Sequence, residues 1–358
     1  MKYWFFSKKK IFIIILIIFI IAGIFTWQKG WTPSEKEKNI KEKNVAEFLY
    51  FNPKMNFGWF YIAQTIPEKG IAFWAAIVRS FSVLPTDESA HLLYGIMDEK
   101  KNDFQFRIVY GSFFEDANKI NLSFINERDT ISFEQVESAP DKFKLNANLS
   151  WGKNRFQIDK ILNFNHPIIY ESGDGVIPMG EGVNSLYVSL PLEQGFWVDF
   201  QKFNIPLNKV AHIQPNHRWA SFMLTENAGT LPAGTVGVYW EIFDKKGNPQ
   251  PGGYTNFDLL IPGKPQKTVD NFQIEEYKHN EEIITGKKYL KKWRLIQKEL
   301  GIDLIFETLM PNAFCDTTNF NFYEGMTKVY DSFNPGKQVG TGMLEQTHDE
   351  AEDDLKKH

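Results

Sequence analysis

The chain has 358 residues, enough for two domains of roughly 100–200 residues each. Its formal net charge is −4 with no basic cluster outside the N-terminus, which argues against nucleic acid as a partner. The single cysteine, Cys315, excludes an intrachain disulfide and any multi-cysteine zinc site. Aromatic residues make up 15%, including 32 Phe and 10 Trp, which suits β structure and apolar cavities better than a helical bundle.

Lys2 and Lys8-Lys9-Lys10 precede an uncharged apolar run, Ile11 to Trp27. At about 1.5 Å per residue this run spans roughly 25 Å, close to a bilayer core of about 30 Å. Trp4 and Trp27 suit the two interfaces. Residues 1–28 therefore read as cytoplasmic lysines followed by one transmembrane anchor, with the bulk of the chain on the extracytoplasmic side. The competing reading is a cleaved signal peptide, but no small-x-small site follows the apolar core. Residues 29–45 form a charged tether, and a short helix is possible around Ala46 to Tyr50.

From residue 46 to 215, short apolar runs alternate with turn signals, the pattern of a β-meander. Strands are expected at Trp59–Thr65, Ile71–Ser80, Ala90–Met97, Phe104–Tyr110, Phe143–Trp151, Arg155–Asp159 and Asn184–Leu190. Gly173-Asp-Gly175 and Gly180-Glu-Gly182 lack the Lys-Ser/Thr ending of a phosphate loop and read as tight turns.

Residues 216–347 continue with strands at Trp219–Thr225, Thr235–Asp244 and Tyr254–Ile261, then an irregular edge strand, Val269 to Tyr277. In Leu300–Pro311, Ile302, Leu304 and Phe306 alternate with Asp303, Ile305 and Glu307, which is a strand period. Asn334-Pro-Gly336 reads as the turn between the last two strands. Residues 348–358 are too polar to order and form an acidic tail.

The last sixty residues carry Tyr289-x-x-x-Trp293-Arg294-Leu295, Leu300-Gly-Ile-Asp-Leu304, Phe322-Tyr-Glu-Gly325 and Gly340-Thr-Gly-Met-Leu-Glu-Gln-Thr347. In this order they resemble the closing strands of the carotenoid 1,2-hydratase (hydroxyneurosporene synthase) family and its lipocalin-like secreted relatives, often labelled hydrolases. Upstream, Phe57-Gly-Trp-Phe-Tyr-Ile-Ala63, Gly173-Asp-Gly175 with Tyr187, Asn216-His217-Arg218-Trp219 and Val238–Ile242 are similar to further family motifs. The resemblance implies an all-β fold of two tandem lipocalin-like antiparallel barrels or sandwiches, preceded here by the N-terminal helix. Two family acids are absent. Asn216 stands where the family has Asp, and the Phe57–Ala63 segment lacks its Glu.

Hydrating an isolated alkene requires a buried acid of raised pKa and aromatic faces that tolerate a cation. Glu324 and Asp174 are the carboxylates that the motifs place to replace the lost acids, with His217 beside them as a further polar candidate. Each also has a plain structural role open to it. Glu324 could take hydrogen bonds from a strand edge or pair with Arg294, Asp174 could serve the turn, and His217 could be a hydrogen-bonding strut. His212 and His217 have no third ligand in view, so neither a metal nor a cofactor is expected. The resemblance makes Trp59, Tyr61, Tyr187, Asn216, Trp219, Trp240 and Tyr323 candidate ligand-binding residues.

The leading expectation is a membrane-anchored binder of an apolar or lipid-like small molecule without the family's hydratase chemistry. The alternatives are a hydratase- or isomerase-type lyase using a relocated acid, and a structural accessory of an envelope complex or transporter. No Gly-x-Ser-x-Gly elbow supports hydrolase chemistry.

Overall fold

The computed structural model describes residues 57–66, 69–80, 89–115, 120–163, 167–180, 183–203, 216–243, 255–281, 287–316 and 321–348. The expected membrane helix over 11–27, the tether, the helical turn near Ala46 and the tail beyond His348 lie outside these residues. Among the described residues no helix is long and apolar enough to cross a membrane.

Two antiparallel sheets form the molecule. The first contains β1 (Phe57–Ile66), β2 (Ile71–Ser80), β3 (Ser89–Asp98), β4 (Asp103–Glu115), β5 (Asn121–Ile125) and β6 (Thr130–Val136). It continues with β7 (Ala139–Trp151), β8 (Asn154–Asn163), β9 (Ile169–Tyr170), β10 (Val176–Gly180), β11 (Val183–Pro191) and β12 (Phe196–Phe203). The second contains β13 (Asn216–Leu224), β14 (Val236–Phe243), β15 (Thr255–Leu260), β16 (Lys267–Val269) and β17 (Gln273–Glu281). Its remaining strands are β18 (Lys288–Gln297), β19 (Ile302–Thr308), β20 (Phe314–Asp316), β21 (Asn321–Asp331) and β22 (Asn334–His348).

The strand order is β10-β11-β12-β1-β2-β3-β4-β5-β6-β7-β8 in one sheet and β16-β15-β14-β13-β22-β21-β19-β18-β17 in the other. Both sheets curl into half-barrels, where the sequence led to an expectation of two antiparallel barrels or sandwiches. Among the described residues the end strands do not pair with each other. The second sheet stops at β17 for a visible reason. Glu275, Glu276, Lys278, His279 and Glu281 load that strand with charge, and two register shifts follow Glu276, which blunts the edge against further pairing.

The central strands of the first sheet serve two cores at once. Alternate side chains of a strand point to opposite faces, so Phe60 and Ile62 of β1 pack inside the first sheet with Phe73, Phe124, Phe133 and Phe200. Tyr61 and Ala63 face the other way and join Trp74, Tyr187 and Trp197 against Trp219, Trp240, Met326 and Met343 of the second sheet. The second sheet curls around its own interior, where Trp293 stacks on Phe306 at 5.2 Å between ring centres. Thus the outer face of one half-barrel is an inner wall of the molecule. Bonds that tie the sheets together include Thr65 Oγ1 to Thr341 Oγ1 at 2.9 Å, Lys328 Nζ to Glu99 Oε1 at 3.0 Å and Ser172 N to Asp258 Oδ2 at 2.9 Å.

One expected turn sits elsewhere. The reversal between β21 and β22 is made by Ser332 and Phe333, while Asn334-Pro-Gly336 lies inside β22. Pro335 has no N–H to give to a ladder, and the pairing skips there, from Asp331↔Asn334 to Tyr330↔Gln338. The turn at Gly173-Asp-Gly175 does form, with both glycines at positive φ (+75° and +81°).

Candidate active site

Ionisable side chains are concentrated on the seam between the sheets, an unusual place for charge. Glu324 of β21 is 1% exposed, and Asp199 of β12 and Glu171, in the turn after β9, are wholly buried. The strand pairing explains how Glu324 meets its neighbours. It lies opposite Glu345 of β22, and Glu345 in turn lies opposite Trp219 of β13, so all three face the seam.

A linear chain of hydrogen bonds runs through this cluster. The Tyr61 hydroxyl crosses from the first sheet and donates to Glu324 Oε1 at 2.7 Å. Glu324 bonds carboxyl to carboxyl with Glu345. Glu345 Oε1 is 2.9 Å from His217 Nε2, and His217 Nδ1 is 3.0 Å from the Thr347 hydroxyl. Thr347 Oγ1 also accepts the His217 backbone N–H at 3.1 Å. The imidazole thus bridges Glu345 and Thr347 through its two ring nitrogens.

Burial, the charge of Glu345 and the carboxyl–carboxyl bond hold the Glu324 pKa well above the usual carboxylate range, against the lowering effect of Tyr61. Glu324 is therefore a buried acid that holds its proton more tightly than an exposed carboxyl does. Asp199 is the second titrating group. Burial raises it to about 7, while bonds from Ser189, Trp197 and Tyr187 pull it down and the charge of Glu345 pushes it up. The Trp197 indole donates to Asp199 Oδ1 at 2.7 Å and the Tyr187 hydroxyl to Oδ2 at 3.0 Å. Glu171 receives the Ser189 hydroxyl at 2.6 Å and the Trp240 indole N–H from the second sheet. Its pKa is also well raised, first by burial and then by Asp199.

Aromatic rings wall this cluster. Tyr61 meets Trp219 edge-on at 6.0 Å and lies parallel to Trp74 at 6.4 Å. Tyr187 packs edge-on to Trp240 at 5.2 Å. One step along the same strand faces lies a cavity of about 20 Å³, bordered by Ala63, Thr65, Trp197, Ser221, Thr341 and Met343. That is room for about one water, with three hydroxyl side chains on its wall.

Of the residues singled out from the sequence, the structure brings Tyr61, Tyr187, His217, Trp219, Trp240 and Glu324 to the seam. Asn216 is buried at the start of β13, and Trp59 is half-buried on the Tyr61 side of β1. Tyr323 points to the opposite face of β21, where its hydroxyl donates to the Met310 carbonyl and its ring packs on Tyr289 and Phe314. Asp174 is exposed, and its Oδ1 accepts the Val176 N–H at 2.9 Å, the work of a turn residue. The pairing of Glu324 with Arg294 does not form. Arg294 instead grips Asp303 through two bonds of 2.6 and 2.7 Å on the outer side of β18. Among the described residues no group of His, Cys, Asp and Glu is arranged to hold a metal ion.

Asp199, Trp197, Glu171 and Glu345 were not picked out from the sequence. A signal existed for the first two, since Phe196, Val198 and Phe200 alternate with Trp197, Asp199 and Gln201 at a strand period. Glu171 had none, because Glu beside turn glycines reads as solvent-facing. Ser172 turns it inward by adopting φ +69°, a conformation held by the bond from its N–H to Asp258.

No family model and no curated protein sequence matches the chain. Solved structures do resemble it, and two serve as examples. One is a Nitrosomonas europaea protein described as an AttH, with a TM-score of 0.64 at 14% identity over 85% of this chain and 96% of that one. The other is kievitone hydratase from Nectria haematococca, with a TM-score of 0.58 at 13% identity over 86% of this chain and 92% of that one. The fold is lipocalin-like. At these identities the likeness is one of fold.

Proposed function

We propose that the chain is an acid–base enzyme of the hydratase or isomerase type, acting on an apolar alkene-bearing small molecule at the seam. The observation that carries this reading is Glu324, a carboxyl whose pKa is raised by burial and by Glu345, with an imidazole behind Glu345. In hydration, the Glu324 proton goes to one alkene carbon, and the developing cation sits among the faces of Tyr61, Trp219 and Trp240. Water adds to the other carbon and gives up a proton to Asp199, whose pKa of about 7 suits a general base near neutrality. Glu324 recovers a proton through Glu345 and His217. Return of the proton from a different carbon, without water addition, gives the isomerase outcome. Glu324 thus supplies the acid that the Asn216 position lacks. Substrate entry requires the sheets to part.

Water addition measured in heavy-oxygen water, against a panel of prenylated and polyene alkenes, tests this. Glu324→Gln keeps the shape and removes the proton, and turnover should fall by about 10²–10⁴-fold. Undiminished turnover in that variant overturns the proposal. A second reading, binding of an apolar ligand without chemistry, is favoured by the aromatic wall. It predicts a retained ligand and no labelled product. In either reading residues 11–27 anchor the molecule to a membrane with both sheets on its extracytoplasmic side.

A further inference from the structure

Five seam residues place an aromatic N–H or O–H among the buried acids, and four of them are committed. Tyr61 donates to Glu324, Trp197 and Tyr187 to Asp199, and Trp240 to Glu171. The fifth, Trp219, is 2% exposed, and its indole Nε1–H has no hydrogen-bond partner. A buried donor left unpaired calls for an explanation, since nearly all such groups in folded proteins are satisfied. Trp219 is also the central ring, packed edge-on against Tyr61 at 6.0 Å, Trp197 at 6.4 Å and Trp240 at 6.5 Å. Ser221, the next residue on its strand face, borders the small seam cavity.

Trp74 offers a contrast. Its indole N–H is unpartnered too, but a Cβ placed on Gly95 would lie 2.4 Å from Nε1, so main chain closes that side. Trp219 instead stands where the outer face of the first sheet meets the second, between the acids a substrate would have to reach.

We infer that Trp219 is the polar anchor of the ligand, and that the ligand is an apolar molecule carrying an oxygen acceptor: a carbonyl, ether or hydroxyl oxygen. This rests on the seam being the binding site. A pure hydrocarbon leaves the indole N–H unsatisfied, and a site with an unmet buried donor discriminates against the ligand that cannot meet it. The anchor also fixes which part of the ligand lies beside Glu324, because Tyr61 is in contact with both Trp219 and Glu324.

The test compares geranylacetone, an isoprenoid ketone, with the hydrocarbon of the same carbon skeleton, using the full-length chain and equilibrium dialysis. The wild type should hold the ketone roughly tenfold more tightly, the worth of about one hydrogen bond. Trp219→Phe keeps most of the ring and loses the donor. It should abolish this preference, so that the ketone and the hydrocarbon bind alike. Equal binding of the two compounds by the wild type, binding of neither, or a preference that survives in Trp219→Phe overturns the inference. A readout on the wild type alone guards against a variant that fails to fold. In protein carrying nitrogen-labelled tryptophan, one indole N–H resonance should move downfield with the ketone and not with the hydrocarbon, and the absence of such a shift also overturns it. The two proposals fail separately: a ketone preference without turnover removes the acid–base reading and leaves the anchor, whereas turnover with no effect of Trp219→Phe does the reverse.

Discussion

Tyr61 and Glu324 are 263 positions apart in the chain and 2.7 Å apart in the folded protein, one on each sheet. Tyr61→Phe removes the donor and leaves a buried carboxyl oxygen without it. The expected loss is about 1–3 kcal/mol of stability. Urea unfolding should show a lower midpoint with an unchanged slope, and an unchanged midpoint contradicts the bond.

The buried acids make a second prediction, and its sign follows from proton counting. Between its ordinary 3.8 and about 7, Asp199 keeps a proton in the folded protein that the unfolded chain has given up. The stabilisation is complete at the acid end of that window and is lost as the pH rises through the folded value. Glu171 and Glu324 are shifted in the same direction and add to the trend. Asp199→Asn removes one of these protons from the count. The urea midpoint of wild type should fall relative to that of the variant from about pH 4 to about pH 8. Parallel pH curves would contradict it.

Two arginines should behave differently. Arg294 grips Asp303 at 2.6 Å, but at 30% side-chain exposure the pair is solvent-screened, and Arg294→Ala should cost only about 0.2–1 kcal/mol. Arg218 is 10% exposed and bridges Glu241 at 2.9 Å and Glu276 at 2.8 Å. Its loss strands a largely buried carboxylate, so Arg218→Ala should cost about 3 kcal/mol. Thermal unfolding of the two variants compares them directly, and equal shifts would count against this contrast.

Cys315 reports on the seam. Its thiol is buried, and burial together with Glu324 and Glu345 raises its pKa, so it is both shielded and poorly nucleophilic. A thiol reagent should leave the native protein unlabelled and react fully once urea is added. If substrate entry parts the sheets, a bound alkene should change the labelling rate. Fast labelling of the native protein would show that the seam is already open.

The strand content was legible because it depends on local alternation. β2 falls at Ile71–Ser80, as its apolar run indicates, and β1, β3 and β11 lie within a few residues of expectation. The irregular edge strand after Val269 also forms, as β17. The faces within β19 were legible for the same reason, with Ile302, Leu304 and Phe306 all buried. What strand spacing cannot convey is which outward face meets another sheet. Tyr61 and Trp219 could be marked as aromatic candidates, but nothing local shows that they touch. Glu324 was found through its motif, yet its partner turned out to be Tyr61 and not Arg294, because partners across a seam depend on how two sheets are stacked. β12 was overlooked although Phe196, Val198 and Phe200 alternate with Asp199 and Gln201, because Trp197 interrupts the apolar/polar alternation at its start.

The double duty of β1 and β12 has a consequence for how this chain can change over time. In each strand one set of alternate residues belongs to the first half-barrel and the other to the shared seam. A slip of β1 by a single residue would send Tyr61 into the half-barrel interior and leave Phe60 facing Glu324. The two halves are therefore not interchangeable modules. Either half expressed alone would present a broad aromatic surface to water, and each can be inherited only in the company of the other.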